Sequence, residues 1–188
     1  TLSDDELRTV WHAAEEIGWP FGPAIQLLIL TGARRGEIGG LCWSEAEGNQ
    51  IQLSGNRTKN GEPHSIHLSR PACSIITNLP KMQNSSLVFK TTGKTPIIRG
   101  TTARTEFGKQ TMLEPWTIHD LRRSVATGLQ RLGVNLQVIE SILNHVSGSR
   151  SGIVGVYQRH NFDQEKAAAL EAWGAHVVSL VDGTKSVK

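Results

Sequence analysis

The sequence predicts a mainly α-helical domain that carries one small antiparallel β-sheet or hairpin. Apolar residues recur at helical spacing through most of the chain, while one stretch, Asn49 to Leu68, changes to alternation around an Asn-Gly pair. No internal repeat, low-complexity tract or linker divides the 188 residues, which suffice for one well-buried core and not for two large ones. Residues 1–188 are therefore read as a single domain.

Leu2-Ser3-Asp4-Asp5-Glu6-Leu7 opens the first helix: Ser3 caps, Glu6 completes a capping box, and Leu2 staples onto Leu7. Leu7, Val10, Trp11, Ala14 and Ile17 keep the helical period until Gly18 and Pro20 stop it. A second helix begins near Pro23. It is apolar nearly all round, through Ile25, Leu27, Leu28, Ile29 and Leu30, and so belongs at the centre of the core.

Thr31-Gly32-Ala33-Arg34-Arg35-Gly36-Glu37 follows. Its glycines break or re-aim the helix, and arginines directly after a buried helix should face something anionic, with Glu37 orienting Arg34. The plainer reading is a solvated turn with a surface ion pair. Ile51 and Leu53, then Ile66 and Leu68, alternate with polar residues around Asn60-Gly61, a hairpin signal that puts Arg57 and Lys59 at the tip. Lysines at such tips commonly serve solubility. His64 and His67, three apart on a strand, face opposite sides and lack a third ligand, so no metal site is expected there.

Residues 70–79 read as a helix ended by Pro80, Leu87-Val88-Phe89 as a short strand, and residues 98–110 as a weakly patterned helix. Thr117 caps the next helix with Asp120 in its third position. Leu121, Val125, Leu129 and Leu132 form its buried stripe, and Gly133 ends it. His119 and Arg122 share a face and lie off that stripe, which argues against core positions for either. Leu136, Val138, Ile139, Ile142 and Leu143 make a further helix. The last spans residues 162–181, with Leu170, Trp173, Val177 and Leu180 on a side that docks on its own domain or on a neighbouring protomer.

Lys and Arg exceed Asp and Glu by three, and the pI is about 9.1, a mild excess that suits a polyanionic partner without requiring one. Its placement is more telling. Arg34, Arg35, Arg57, Lys59, Arg122 and Arg123 sit in or beside the motifs, whereas acidic residues gather at Asp4, Asp5, Glu6, Glu15, Glu16, Glu45 and Glu47. Cys42 and Cys73 form no spaced pair and read as buried free thiols of a reducing cytoplasm. No apolar run is long enough to cross a bilayer and no signal peptide opens the chain, so no membrane partner is expected. A first residue of threonine points to a domain excised from a longer protein.

The chemistry gathers between Ile118 and Tyr157. His119-Asp120-Leu121-Arg122, Leu143-Asn144-His145 and Tyr157, the only tyrosine, supply a base, a cation, a second imidazole and a phenol. That set suits nucleophilic attack on phosphate. Ionising a free tyrosine at neutral pH costs about 4 kcal/mol, a cost that a nearby base and two arginines offset. Arginines also offer planar paired donors that match two phosphate oxygens. Taken singly, His145 also reads as a helix-end histidine and Tyr157 as a core residue. No carboxylate cluster suited to Mg²⁺ and no glycine-rich nucleotide loop stands beside these residues, so the expected chemistry uses no cofactor, metal or ATP.

In order along the chain, Thr31-Gly32-Ala33-Arg34-Arg35-Gly36-Glu37-Ile38, Thr58-Lys59-Asn60-Gly61, His119-Asp120-Leu121-Arg122, Leu143-Asn144-His145 and Tyr157 together resemble the catalytic domain of the tyrosine recombinases, of the phage or genomic-island integrase type. The resemblance implies the fold of that domain and a role for each matched position. Arg34 and Arg122 would clamp the scissile phosphate, Lys59 would protonate the leaving 5′-oxygen, and His119 would accept a proton. His145 would bond the phosphate, Tyr157 would be the nucleophile, and Glu37 would support Arg34. Arg35, Arg57, Arg123 and Arg150 are candidate DNA contacts. The implied partners are double-stranded DNA attachment sites, other protomers and, as accessories, an excision factor or DNA-bending protein, on the bacterial nucleoid. The family's N-terminal DNA-binding domains would lie outside these residues. Two positions depart from the family pattern: Asn144 stands where a glycine is usual, and Ser147 to Gly152 lengthen the approach to Tyr157. A type IB topoisomerase-like activity and a DNA-binding module without catalysis are the alternatives.

Overall fold

The structure is a computed structural model that describes residues 1–82, 85–90, 115–145 and 162–183, together with Ile97, Thr111 and Leu113. The other helices close around α2 (Phe21–Thr31). Ala24, Ile25, Leu27, Leu28, Ile29 and Leu30 are each at most 2% exposed, so a helix apolar on every side is enclosed on every side. Against it pack α1 (Asp4–Ile17), α3 (Arg35–Gly39), α4 (Arg70–Thr77), α5 (Ile118–Arg131) and α7 (Asp163–Val181), with α6 (Leu136–Ile142) joining α5 to α7.

The expected capping box at the start of α1 is present. Ser3 Oγ accepts from the Glu6 amide at 3.3 Å, and Glu6 Oε2 accepts from the Ser3 amide at 2.7 Å. At the far end of α2, the Ala33 amide donates to Thr31 Oγ1 instead of continuing the helix. The Ile29 carbonyl accepts instead from Trp173 Nε1 of α7 at 2.8 Å, so a terminal acceptor of α2 is satisfied by a helix remote in sequence. Trp173, Leu170 and Val177 are buried, and α7 docks on its own domain.

β1 (Ala46–Glu47), β2 (Gln50–Leu53) and β3 (His64–His67) form an antiparallel sheet in that order, with Ile51 opposite Ile66 and Leu53 opposite His64. The hairpin is as expected, but its connection is not a two-residue Asn-Gly turn. Residues 54–63 form a longer loop containing a 3-10 turn at Gly55–Arg57. Side chains fold it back on itself: the Thr58 hydroxyl bonds the Gly55 and Glu62 carbonyls, and Asn60 Oδ1 accepts from the Glu62 amide.

Other expectations change on inspection. Leu87 makes a single bridge with Cys42, and Val88 donates to the Leu41 carbonyl, in place of a full strand. Leu132 is 42% exposed because it follows the last turn of α5, and Leu136 is 65% exposed on the first turn of α6. Arg122, expected outside the core, is only 8% exposed. The helix expected over residues 98–110 lies outside the described residues. Among the described residues no helix is long and apolar enough to cross a membrane.

Candidate active site

The α2–α3 turn, the end of α6 and the hairpin loop converge on one another, and the start of α5 joins them. Arg34 precedes α3 in extended backbone, so its side chain leaves the helix end instead of lying along it. Glu37, 3% exposed, holds it twice. One carboxylate oxygen accepts from the Arg34 amide at 2.7 Å and the other from Arg34 Nη1 at 2.9 Å. Such a charge-assisted pair fixes a guanidinium that is only partly shielded from water.

Arg122 reaches the same place from α5. Its Nη1 donates to the Gly32 carbonyl at 2.7 Å and its Nη2 to the Leu143 carbonyl, while Arg34 Nη2 donates to the Asn144 carbonyl at 2.8 Å. Two guanidinium groups thus hold consecutive carbonyls of one turn. Gly32 is required where it stands: its φ is +63°, and a Cβ there would lie 3.0 Å from Val125 Cγ1 and 3.1 Å from Leu143 Cδ2. Burial, with Arg34 adding repulsion, pushes the Arg122 guanidinium down to about 10. It remains charged at neutral pH.

Asn144 joins these parts. Its φ of +45° explains why glycine would suit the position, and asparagine is among the side chains that tolerate it. Its buried carboxamide pairs with that of Asn60 in the hairpin loop. Asn60 Nδ2 donates to Asn144 Oδ1 at 2.9 Å, and Asn144 Nδ2 donates to Asn60 Oδ1 at 3.2 Å. Lys59, next to Asn60, is exposed and has no side-chain partner among the described residues. His145 follows Asn144 and is exposed, with its amide on the Glu140 carbonyl at 2.9 Å.

His119 is exposed on the first turn of α5. That turn is fixed by Asp120, whose carboxylate accepts from the Thr117 hydroxyl and amide; these bonds hold its pKa below the usual carboxylate value. Arg35 is exposed, and Arg123 is largely so, 3.8 Å from Asp120. Arg57, expected at the tip and facing DNA, instead lies at the base of the loop. Its Nε donates to Glu45 at 2.7 Å and its Nη2 to the Gly40 and Glu37 carbonyls at 2.7 and 3.3 Å. It braces the sheet against the C-terminal end of α3. Arg150 and Tyr157 lie outside the described residues.

Sequence reading missed three participants. Asn60 and Asn144 were visible only as a turn residue and a departure from glycine. His64 was weighed only as a metal ligand, yet it is 7% exposed on the inner face of β3. Burial pushes it down to about 4, with Lys166 and Arg34 acting in the same sense and Glu37 opposing them. Its signal was strand parity: it shares the buried face of Ile66.

Two cations held on neighbouring carbonyls, with one buried carboxylate that offsets part of their charge, make a cluster suited to a tetrahedral anion. The prophage integrase IntF of Escherichia coli (strain K12) is 29% identical over 154 residues, covering 77% of this chain and 32% of that protein. The integrase of Escherichia phage lambda is 23% identical over 175 residues, covering 87% of this chain and 48% of that one. The chain thus spans 32% and 48% of the length of these two curated relatives. Among solved structures, XerA recombinase superposes with a TM-score of 0.64 at 22% identity, covering 93% of this chain and 64% of that one. A lambda integrase(75-356) dimer bound to a COC′ core site superposes with a TM-score of 0.63 at 21% identity, covering 80% and 59% of the two chains. These likenesses establish the shared fold, that of tyrosine recombinase catalytic domains. The phage integrase family is matched over residues 1–164, most of the chain, and to that family the chain belongs.

Proposed function

We propose that this chain cleaves and rejoins DNA strands in site-specific recombination, integrating or excising a mobile element. The observation that carries the reading is the pair Arg34 and Arg122, held on the consecutive carbonyls of Leu143 and Asn144 with Glu37 as their shared carboxylate. Like charges this close are strained by mutual repulsion, and an incoming phosphodiester relieves it. The named relatives are integrases, and one solved neighbour is a recombinase bound to its difH substrate.

In this reading the Tyr157 phenol, losing its proton to His119, attacks the scissile phosphorus. The bond to the 5′-oxygen breaks, Lys59 protonates that oxygen, and a 3′-phosphotyrosyl link remains. His145 bonds a non-bridging oxygen, and Arg34 and Arg122 gain most as charge builds in the transition state. Attack by the 5′-hydroxyl of another strand reverses the steps, so bond energy is conserved and no ATP is needed. Recombination requires two duplexes and several protomers, with an excision factor or DNA-bending protein as accessory, and the site of action is the nucleoid. Arg35 and Arg123 would contact the DNA backbone, and Arg150 is assigned there on sequence alone.

The test is a nicked suicide duplex carrying candidate attachment sites, incubated with the protein in EDTA and run on a denaturing gel. A covalent adduct mapped to Tyr157 is expected, and Tyr157→Phe should abolish it while retaining DNA binding. Arg34→Ala should slow adduct formation by roughly a hundredfold or more with a much smaller loss of affinity. Equal losses in rate and affinity would remove Arg34 from its transition-state role. Relaxation of supercoils without strand exchange would instead favour a topoisomerase-like activity.

A further inference from the structure

Nothing among the described residues holds the side chain of Lys59, and the observations around it point to what holds its loop. The tip of the hairpin loop is fastened to the rest of the site through Asn60, which bonds the side chain of Asn144 and also approaches its carbonyl at 3.4 Å. Asn144 is 7% exposed, and the same carbonyl accepts from Arg34 Nη2. One residue thus gathers three assigned groups: its main chain takes Arg34, its side chain takes the neighbour of Lys59, and its next residue is His145.

A carboxamide carries both a donor and an acceptor, so two of them face to face satisfy each other. Left unpaired, the buried Asn144 amide would lose its bonds without water to replace them. Among the described residues, the other bonds of the loop are internal or at its foot. Thr58 and Asn60 bond loop backbone, and Arg57 grips α3 and Glu45. The foot is fixed; the tip depends on the amide pair.

We propose that Asn60 and Asn144 are positioning residues, a carboxamide latch that sets Lys59 beside His145 and Arg34 before DNA arrives. The role assigned to the latch rests on the reading that Lys59 protonates the leaving oxygen. The latch itself is a property of the free protein and is tested there first.

Asn144→Gly is the informative variant, because glycine accepts the positive φ and leaves the carbonyl that Arg34 uses. Hydrogen exchange without DNA should quicken about tenfold or more across residues 55–62 and stay unchanged in β2, β3 and α2. Unchanged exchange in the loop overturns the latch, and so does an equal rise throughout the domain. Asn144→Asp, which sets two acceptors against each other, should loosen the same segment.

The second readout is single-turnover cleavage of DNA whose scissile 5′-oxygen is replaced by sulfur, since a thiolate leaves without needing a proton. Asn144→Gly should slow the oxygen substrate about tenfold or more and the sulfur substrate by no more than about twofold, as Lys59→Ala should. Equal slowing on both substrates overturns the positioning role. Cleavage of neither substrate by the unaltered protein would refute the recombinase reading, and hydrogen exchange alone would then decide whether the latch exists.

Discussion

His64 shows how a single buried side chain makes the domain sensitive to pH. The folded protein holds it near 4, mainly through burial, against its ordinary 6.5. Between those values the unfolded chain takes up a proton that the folded one refuses. Its contribution is therefore complete above about pH 6.5, is lost as pH falls toward 4, and changes no further below that. His64→Gln should flatten this part of the stability profile by about 2–3 kcal/mol, read from urea midpoints between pH 7 and pH 4. Asp120 and Glu6, held below the ordinary carboxylate range by Thr117 and Ser3 respectively, add an acid loss of their own, which the substitution should leave in place. An unchanged slope in the variant would mean that His64 is not neutral in the fold. These residues differ in how plainly the sequence announces them. Arg34 and Glu37 are three apart on one turn, a local relation that spacing reveals. Arg122 is buried by partners 90 and 21 positions away, Gly32 and Leu143, and apolar periodicity has no means of registering a buried guanidinium.

Between helices, the crossing of α5 and α7 leaves no room for a side chain at Gly128. A Cβ at Gly128 would lie 2.1 Å from Trp173 Cζ3 and 2.6 Å from Cη2, and Trp173 is fully buried with its indole nitrogen committed to Ile29. Gly128→Ala gains about 1 kcal/mol of helix propensity, yet forcing the indole aside should outweigh it, for a net loss of roughly 1–2 kcal/mol. Trp173→Phe in the same chain should recover part of that loss, a coupling that a double-mutant cycle in urea measures. Additive effects would show that the two residues do not share the space. The longer helices were legible because each carries a stripe and a stop signal, whereas α3, only five residues long, is too short to show a stripe. The hairpin was legible as strands but not as a loop, since Asn-Gly advertises a tight turn while Thr58 and Asn60 close a wider one with their side chains. β1 was missed because it has only two residues, too few for any period.

For the molecule as a whole, the placement of α7 bears on whether Tyr157, proposed as the nucleophile, serves its own chain. Tyr157 stands six positions before Asp163, where α7 begins, so the tether between them spans at most about 20 Å. The first turns of α7 already approach the site. Lys166, bonded to Asp163 at 2.8 Å, acts on His64 together with Arg34 and Glu37. Farther along, Glu171 meets His67 of β3 at 3.3 Å and the Arg70 amide of α4 at 3.2 Å. A helix anchored at these points and by Trp173 fixes one end of that tether on its own chain. Cleavage in cis is the expected outcome, and complementation measures it. Arg34→Ala and Tyr157→Phe proteins, each defective alone, are mixed in equal amounts on the suicide duplex. If Tyr157 serves its own arginines, no protomer in the mixture has both groups and the adduct stays at the level of the single variants. If Tyr157 crosses to a neighbour, a Tyr157→Phe protomer lends its intact Arg34 to the tyrosine of an Arg34→Ala protomer. Adduct would then return to a sizeable fraction of the unaltered yield.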